Sequence, residues 1–231
     1  VSVSPHAYST PNALRLPIRA VRPVSRPPAA ALALASLCLL GLAGTWCAAA
    51  LVPAAHLRDA VALHDFTLLD RPRVEAAGNA LLHLLGPVTV TVWACMLVAV
   101  ALFRRRPRVA LAVALVMGLA PLSADLLKPL LAHSHAHVTG VYVKAASWPS
   151  GHATAALTLA LCAVLVAPRR LRPTVLAVGL AFAAAVGLSL MILAWHMPSD
   201  VLGGYLLASL WMSLVLAALR GADRRWPVAA R

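Results

Sequence analysis

The apolar residues of this chain fall into six long runs, at about 29–52, 80–103, 109–131, 152–167, 173–194 and 201–219. A helix needs roughly 20 apolar residues to cross the ~30 Å hydrocarbon layer of a bilayer. Within that layer only helices or closed barrels can satisfy their own backbone groups. The runs therefore predict an all-α, integral membrane six-helix bundle. The charge content agrees, at 12% against about 25% in soluble domains. The fourth run is short, so its helix is expected to begin before residue 152 or to tilt little.

The first run ends in "CAAALVPAA", which has the small residues of a signal-peptide cleavage site. Its length exceeds a usual apolar signal core of about 7–15 residues, so it reads as a retained anchor. Residues 1–28 hold six prolines and four arginines and are expected to form a poorly ordered tail. Three units follow: this tail, a membrane domain over 29–219, and a basic C-terminal tail over 220–231. Cys38, Cys47, Cys95 and Cys162 all lie in apolar runs without a C-x-x-C pair and read as small apolar fillers.

A net charge of +13 suggests nucleic acid at first sight, but its distribution argues otherwise. The cations sit in short clusters between apolar runs, "RRRPR" at 104–108, "RRLR" at 169–172 and "RGADRR" at 220–225. Such clusters mark loops on the cytoplasmic side of a membrane, so no nucleic-acid partner is expected. With the N-terminus inside, fifteen of the twenty basic residues and one of the seven acids face the cytoplasm. That arrangement predicts a multi-pass protein of the inner (plasma) membrane with both termini cytoplasmic. It also sends eight of the nine histidines, and both lysines, Lys128 and Lys144, to the outer face.

Two stretches on that face carry chemistry. In "WPSGHATAAL", Ser150 is a candidate N-cap and Gly151 permits close approach of a ligand to backbone. The free N–H groups of a helix start favour an anion, and His152 can protonate a leaving oxygen. A capped helix with an interfacial histidine is the plainer alternative. In "AWHMPSDVLGG", Asp200 follows His196 by four residues and opens the next helix. Its carboxylate can reach back to one imidazole nitrogen, fix the tautomer and raise the basicity of the other. That nitrogen could then attack phosphorus or take a proton. The plainer alternative is a helix-start acid stabilised by the helix dipole. A third stretch, "HSHAH", would align His133, His135 and His137 if extended. It reads as a solvated loop, with a zinc site as the alternative.

Together these stretches resemble the type 2 phosphatidic acid phosphatase family, membrane relatives of vanadium haloperoxidases. That family carries K-x6-R-P, then P-S-G-H, then S-R-x5-H-x3-D. Here the second motif is complete at Pro149, Ser150, Gly151 and His152, and the third gives Ser189, His196 and Asp200 in register. The first gives Lys128. The resemblance covers about residues 80–219 and implies hydrolysis of a lipid phosphate or diphosphate through a phosphohistidine. It implies His196 as nucleophile, Asp200 as its orienting partner and His152 as acid. Lys128, Ser150 and Gly151 would hold phosphate oxygens, with no metal or other cofactor. Both motif arginines are replaced: His135 and Ala136 stand where the first motif has Arg-Pro, and Leu190 stands where the third has Arg. His135 becomes a phosphate-binding candidate, alongside His133, His137 and Lys144. The expected substrates are polyprenyl (di)phosphate or phosphatidic acid and phosphatidylglycerol phosphate, with the site at the outer membrane–water interface.

Two further readings stay open. A catalytically degenerate descendant would bind lipid phosphate without turnover, as the missing arginines suggest. A small transporter would use Gly118, Pro121 and Asp125 of the third run as a broken helix.

Overall fold

A computed structural model describes residues 28–134 and 141–225. Residues 1–27 of the tail expected over 1–28, residues 226–231 of the expected C-terminal tail, His135 and His137 lie outside the described residues. Those described form eight helices and no strand. They are α1 (Pro28–Leu51), α2 (Pro53–Thr67), α3 (Pro72–His83), α4 (Pro87–Phe103), α5 (Pro107–Leu130), α6 (Gly151–Val166), α7 (Arg172–Ile192) and α8 (Pro198–Arg225).

Every helix except α6 starts at or one residue before a proline. Proline ends the preceding helix yet suits the first turn of the next, where its missing N–H is not needed. This punctuation divides the chain further than hydropathy alone indicates. The second run, expected to be continuous over 80–103, is instead two helices bent by 54°. The break comes at Gly86, extended at φ −62° and ψ 157°, just before Pro87. Residues 53–79, outside all six runs, form α2 and most of α3. The last helix continues six residues beyond the expected boundary at 219, and there Arg108 of α5 pairs with Asp223 at 2.9 Å.

Four helices, α1, α5, α7 and α8, are long and apolar enough to span a membrane, and the bent α3–α4 pair adds a fifth crossing if it is one span. At 16 residues α6 is shorter, as its run suggested. Helix α5 runs unbroken through Pro121, so it lacks the broken-helix geometry of the transporter reading.

Helix α6 is the centre of the bundle. It is apolar all round, the signature of a helix buried on all sides. Ala153, Thr154, Ala156, Thr158 and Cys162 have no more than trace exposure. One core cluster joins α6 to α4, α5 and α8, and a second joins it to α7, α8 and the α3–α4 bend. Small residues bring the backbones close, as in membrane bundles generally. A β-carbon on Gly179 of α7 would lie 2.7 Å from Ala160 Cβ, and one on Gly204 of α8 would lie 2.6 Å from the Ser150 carbonyl oxygen.

Gly204→Ala should therefore force α8 away from the start of α6 and cost about 1–3 kcal/mol. Gly118→Ala meets no atom within 4 Å and should be neutral or stabilising by up to about 1 kcal/mol. Thermal unfolding of the purified variants in detergent separates the two; equal midpoints would contradict this packing.

Candidate active site

Helix α7 ends in a tight left-handed turn. The Ala194 N–H donates to the Met191 carbonyl at 3.1 Å and the Trp195 N–H to the Leu190 carbonyl at 2.9 Å. Ala194 takes φ 55°. This is the Schellman closure, normally built on glycine. The turn reverses the chain, so that His196 follows α7 and Pro198 opens α8 within six residues of Ile192.

In that reversal His196 Nδ1 lies 3.2 Å from Asp200 Oδ2, and the same oxygen accepts the Met197 N–H at 3.0 Å. Asp200 is fully buried and the His196 side chain is 12% exposed. With Nδ1 on the carboxylate, Nε2 is the nitrogen left for chemistry. The backbone carbonyl of Asp200 also accepts the Ser150 N–H at 2.9 Å. Both expected motifs thus converge on one residue.

Ser150 caps α6, its Oγ accepting from the Ala153 N–H at 3.4 Å. Ser150 is wholly buried, so its hydroxyl serves the helix start. The N–H groups of Gly151 and His152, in the first turn, have no intrahelical acceptor. Above them sits Lys128, from the last turn of α5: a β-carbon on Gly151 would lie 3.3 Å from Lys128 Nζ. Any side chain at 151 would crowd the ammonium, which is the close approach that glycine allows. Lys128 is held by Asp125 Oδ1 at 2.8 Å. His152 stands edge-on to Trp195 with ring centroids 5.8 Å apart, and its ionisable neighbours are His196, Lys128 and Asp125.

Lys128, Ser150, Gly151, His152, His196 and Asp200 are thereby gathered where α5 ends and α6 and α8 begin. The other candidates among the described residues are not. His133 is paired with the His56 ring of α2 at 6.4 Å and with the Leu131 carbonyl. Lys144 is exposed. Leu190 is fully buried in the core beside Leu82, Leu85 and Val186. Ser189 bonds back to the Ala185 carbonyl and packs on Gly78 of α3. The four cysteines are free, two of them buried.

Two supporting features escaped the sequence reading. Trp148 is buried with its indole packed against Gly203; a β-carbon there would meet Nε1 at 2.7 Å. The "GG" after Asp200 was the available sign of such a close approach. The second feature had no local sign. Asp59 of α2 accepts the Ser199 N–H at 3.0 Å and the Ser199 hydroxyl at 2.6 Å, across 140 positions. A carboxylate from another helix thereby caps α8, where the helix dipole favours negative charge.

The PAP2 superfamily model matches residues 109–224, the segment that holds every residue gathered above. The chain is also similar to a solved structure described as the first transmembrane PAP2 type phosphatidylglycerolphosphate phosphatase from Bacillus subtilis. The TM-score is 0.67 at 21% identity, covering 85% of this chain and 98% of that one. Comparison with curated proteins returns no match.

Burial pushes the Asp59 carboxyl above its ordinary range, against the two Ser199 hydrogen bonds that favour the charged form. An acid raised on folding contributes stability that is full below about pH 3.9 and is lost as pH rises through the raised value. Asp59→Asn removes that titration, so its stability should vary less with pH above about 4 than that of the wild type. Asp59→Ala removes both acceptors and should cost about 1–3 kcal/mol. Parallel wild-type and Asp59→Asn stability curves, with Asp59→Ala tolerated, would remove Asp59 as the cap of α8.

Proposed function

The chain belongs to the PAP2 superfamily, and from that membership we propose that it is an integral membrane lipid phosphatase. The observation that carries the proposal is the His196–Asp200 pair at 3.2 Å facing a helix start with a lysine over its glycine. A phosphate is bound by the first-turn N–H groups of α6 and by Lys128, which exchanges part of its contact with Asp125 for the anion. His196 Nε2 attacks phosphorus while the P–O bond to the lipid breaks. His152 protonates the leaving oxygen. Water then attacks the phosphohistidine, gives its proton to His152 and releases inorganic phosphate. Asp200 holds the imidazole in the required tautomer and stabilises its charge. The buried Leu190 supplies no guanidinium, so among the described residues the anion relies on backbone donors and one ammonium.

The substrate class is a lipid phosphate or diphosphate, such as polyprenyl (di)phosphate, phosphatidic acid or phosphatidylglycerol phosphate. A head group at this end of the bundle, with its chains beside the apolar helices, is compatible with such an amphiphile. The asymmetry of basic residues supports a plasma-membrane protein with this site outward and the termini cytoplasmic. In a cysteine-free background, an impermeant thiol reagent should label Ala146→Cys in intact cells and Arg170→Cys only after permeabilisation. The reverse pattern would invert the orientation.

Phosphate release from a panel of lipid phosphates by the purified protein tests the activity. His196→Ala should fall to background. Asp200→Asn should lose about 10²–10⁴-fold in kcat. His152→Ala should lose less on substrates with a good leaving group, since protonation then matters less. EDTA should leave the rate unchanged. Folded wild-type protein that binds lipid phosphate but releases no more than His196→Ala would establish the non-catalytic reading instead.

A further inference from the structure

The end of the bundle opposite His196 carries a polar concavity. There the C-terminal ends of α4, α6 and α8 meet the N-terminal ends of α5 and α7 around an open cavity of about 620 Å³. That size is within the ~300–1,000 Å³ typical of small-ligand sites. Six guanidiniums line it, from Arg104, Arg106, Arg108, Arg169, Arg172 and Arg220. Asp223 is the one acid of the lining, and Arg108 already pairs with it at 2.9 Å. Among the described residues, five arginines thus share a concavity that offers them no further carboxylate.

Like charges on a solvated surface spread apart, but two of these are fixed in place. Arg106 donates to the Leu165 carbonyl at 3.2 Å, and the Arg172 Nε–H donates to the Ala167 carbonyl at 3.3 Å. These bonds answer the negative C-terminal end of α6 and leave the other N–H groups of each fork pre-organised. Burial, and then the charges of Arg172, Arg104 and Arg169, hold the Arg106 guanidinium below its ordinary range. An anion in the cavity would relieve that repulsion. Helices α5 and α7 start here without side-chain caps, adding two positive dipole ends. The remaining lining is apolar, from Val109, Leu165, Leu216 and Leu219. Close by in the chain, Phe103 is 91% exposed and Leu171 53% exposed on the outside of the bundle.

We propose that this cavity is a binding site for a phosphate-bearing anion, gripped by Arg104, Arg169 and Arg220 with Arg106 and Arg172 behind them. The shared chemistry has two sources, the head group of an anionic phospholipid or a free polyphosphate. The site is separate from the histidine site and does not depend on turnover there.

Full-length protein is placed in nanodiscs of phosphatidylcholine alone, of phosphatidylcholine with phosphatidylglycerol, or of phosphatidylcholine with inorganic pyrophosphate in solution. Arginine modification by phenylglyoxal is then mapped by mass spectrometry. Arg104, Arg169 and Arg220 should react about tenfold more slowly once a probe exceeds its Kd roughly tenfold. Arg105, Arg170 and Arg225, outside the lining, should change less than about twofold in the same comparison. Protection by phosphatidylglycerol alone identifies a lipid head group, and protection by pyrophosphate identifies a free anion. Binding by the triple variant Arg104→Gln, Arg169→Gln, Arg220→Gln should weaken at least about tenfold, while Arg105→Gln, Arg170→Gln, Arg225→Gln, with the same charge loss, should retain it. No protection by either probe, or equal protection of both sets of arginines, overturns the proposal, and this footprint on the wild type decides even if the first triple variant does not fold.

Discussion

Asp200 is the residue on which the histidine end of this bundle depends. A carboxylate with no solvent exposure must be paired by charge or hydrogen bond, because the protein interior does not replace its hydration. Its side chain takes His196 and the Met197 N–H, and its backbone carbonyl takes the Ser150 N–H. One buried acid therefore fixes the turn after α7, the imidazole orientation and the mouth of α6. Gly203 and Gly204 make that arrangement sterically possible, since any β-carbon there would strike Trp148 or Ser150. Asp59 adds a second acid to the same helix start from α2, so the approach of α8 is restrained from both sides.

The two ends of the bundle handle cations differently. The end with His152 and His196 carries Lys128 as a compact ammonium beside Asp125, while the opposite end carries only guanidiniums. Both include helix N-termini, and both therefore suit anions, but only the first places an imidazole–carboxylate pair beside them. The core lies between. Leu190 belongs to that core, with its carbonyl committed to closing α7. An arginine there would need a different local packing, because a guanidinium among Leu82, Leu85 and Val186 has no counter-charge.

The helical class and its long members are legible in the sequence, because runs of apolar residues leave the backbone no other way to satisfy itself in hydrocarbon. The motif residues are legible too, since Ser150 and Asp200 stand where helix starts need a cap and a negative charge. What hydropathy obscures is punctuation. Gly86-Pro87 bends a run that reads as continuous, and α2 and α3 carry too many charges to register as spans. Contacts between distant segments outside the motifs leave no trace at all: nothing near Asp59 announces Ser199. The Gly203-Gly204 pair is an intermediate case, a visible sign of close approach whose partner appears only in three dimensions.

The proposed mechanism requires that His196 form a covalent bond to phosphorus. Rapid alkaline quenching of the wild-type protein with a radiolabelled lipid phosphate, followed by peptide mapping, tests it directly. Acid-labile, alkali-stable label is expected on the peptide containing His196, appearing before free phosphate and absent in His196→Ala. Phosphate release at full rate with no label on any histidine would contradict it, and would assign the attack on phosphorus to water.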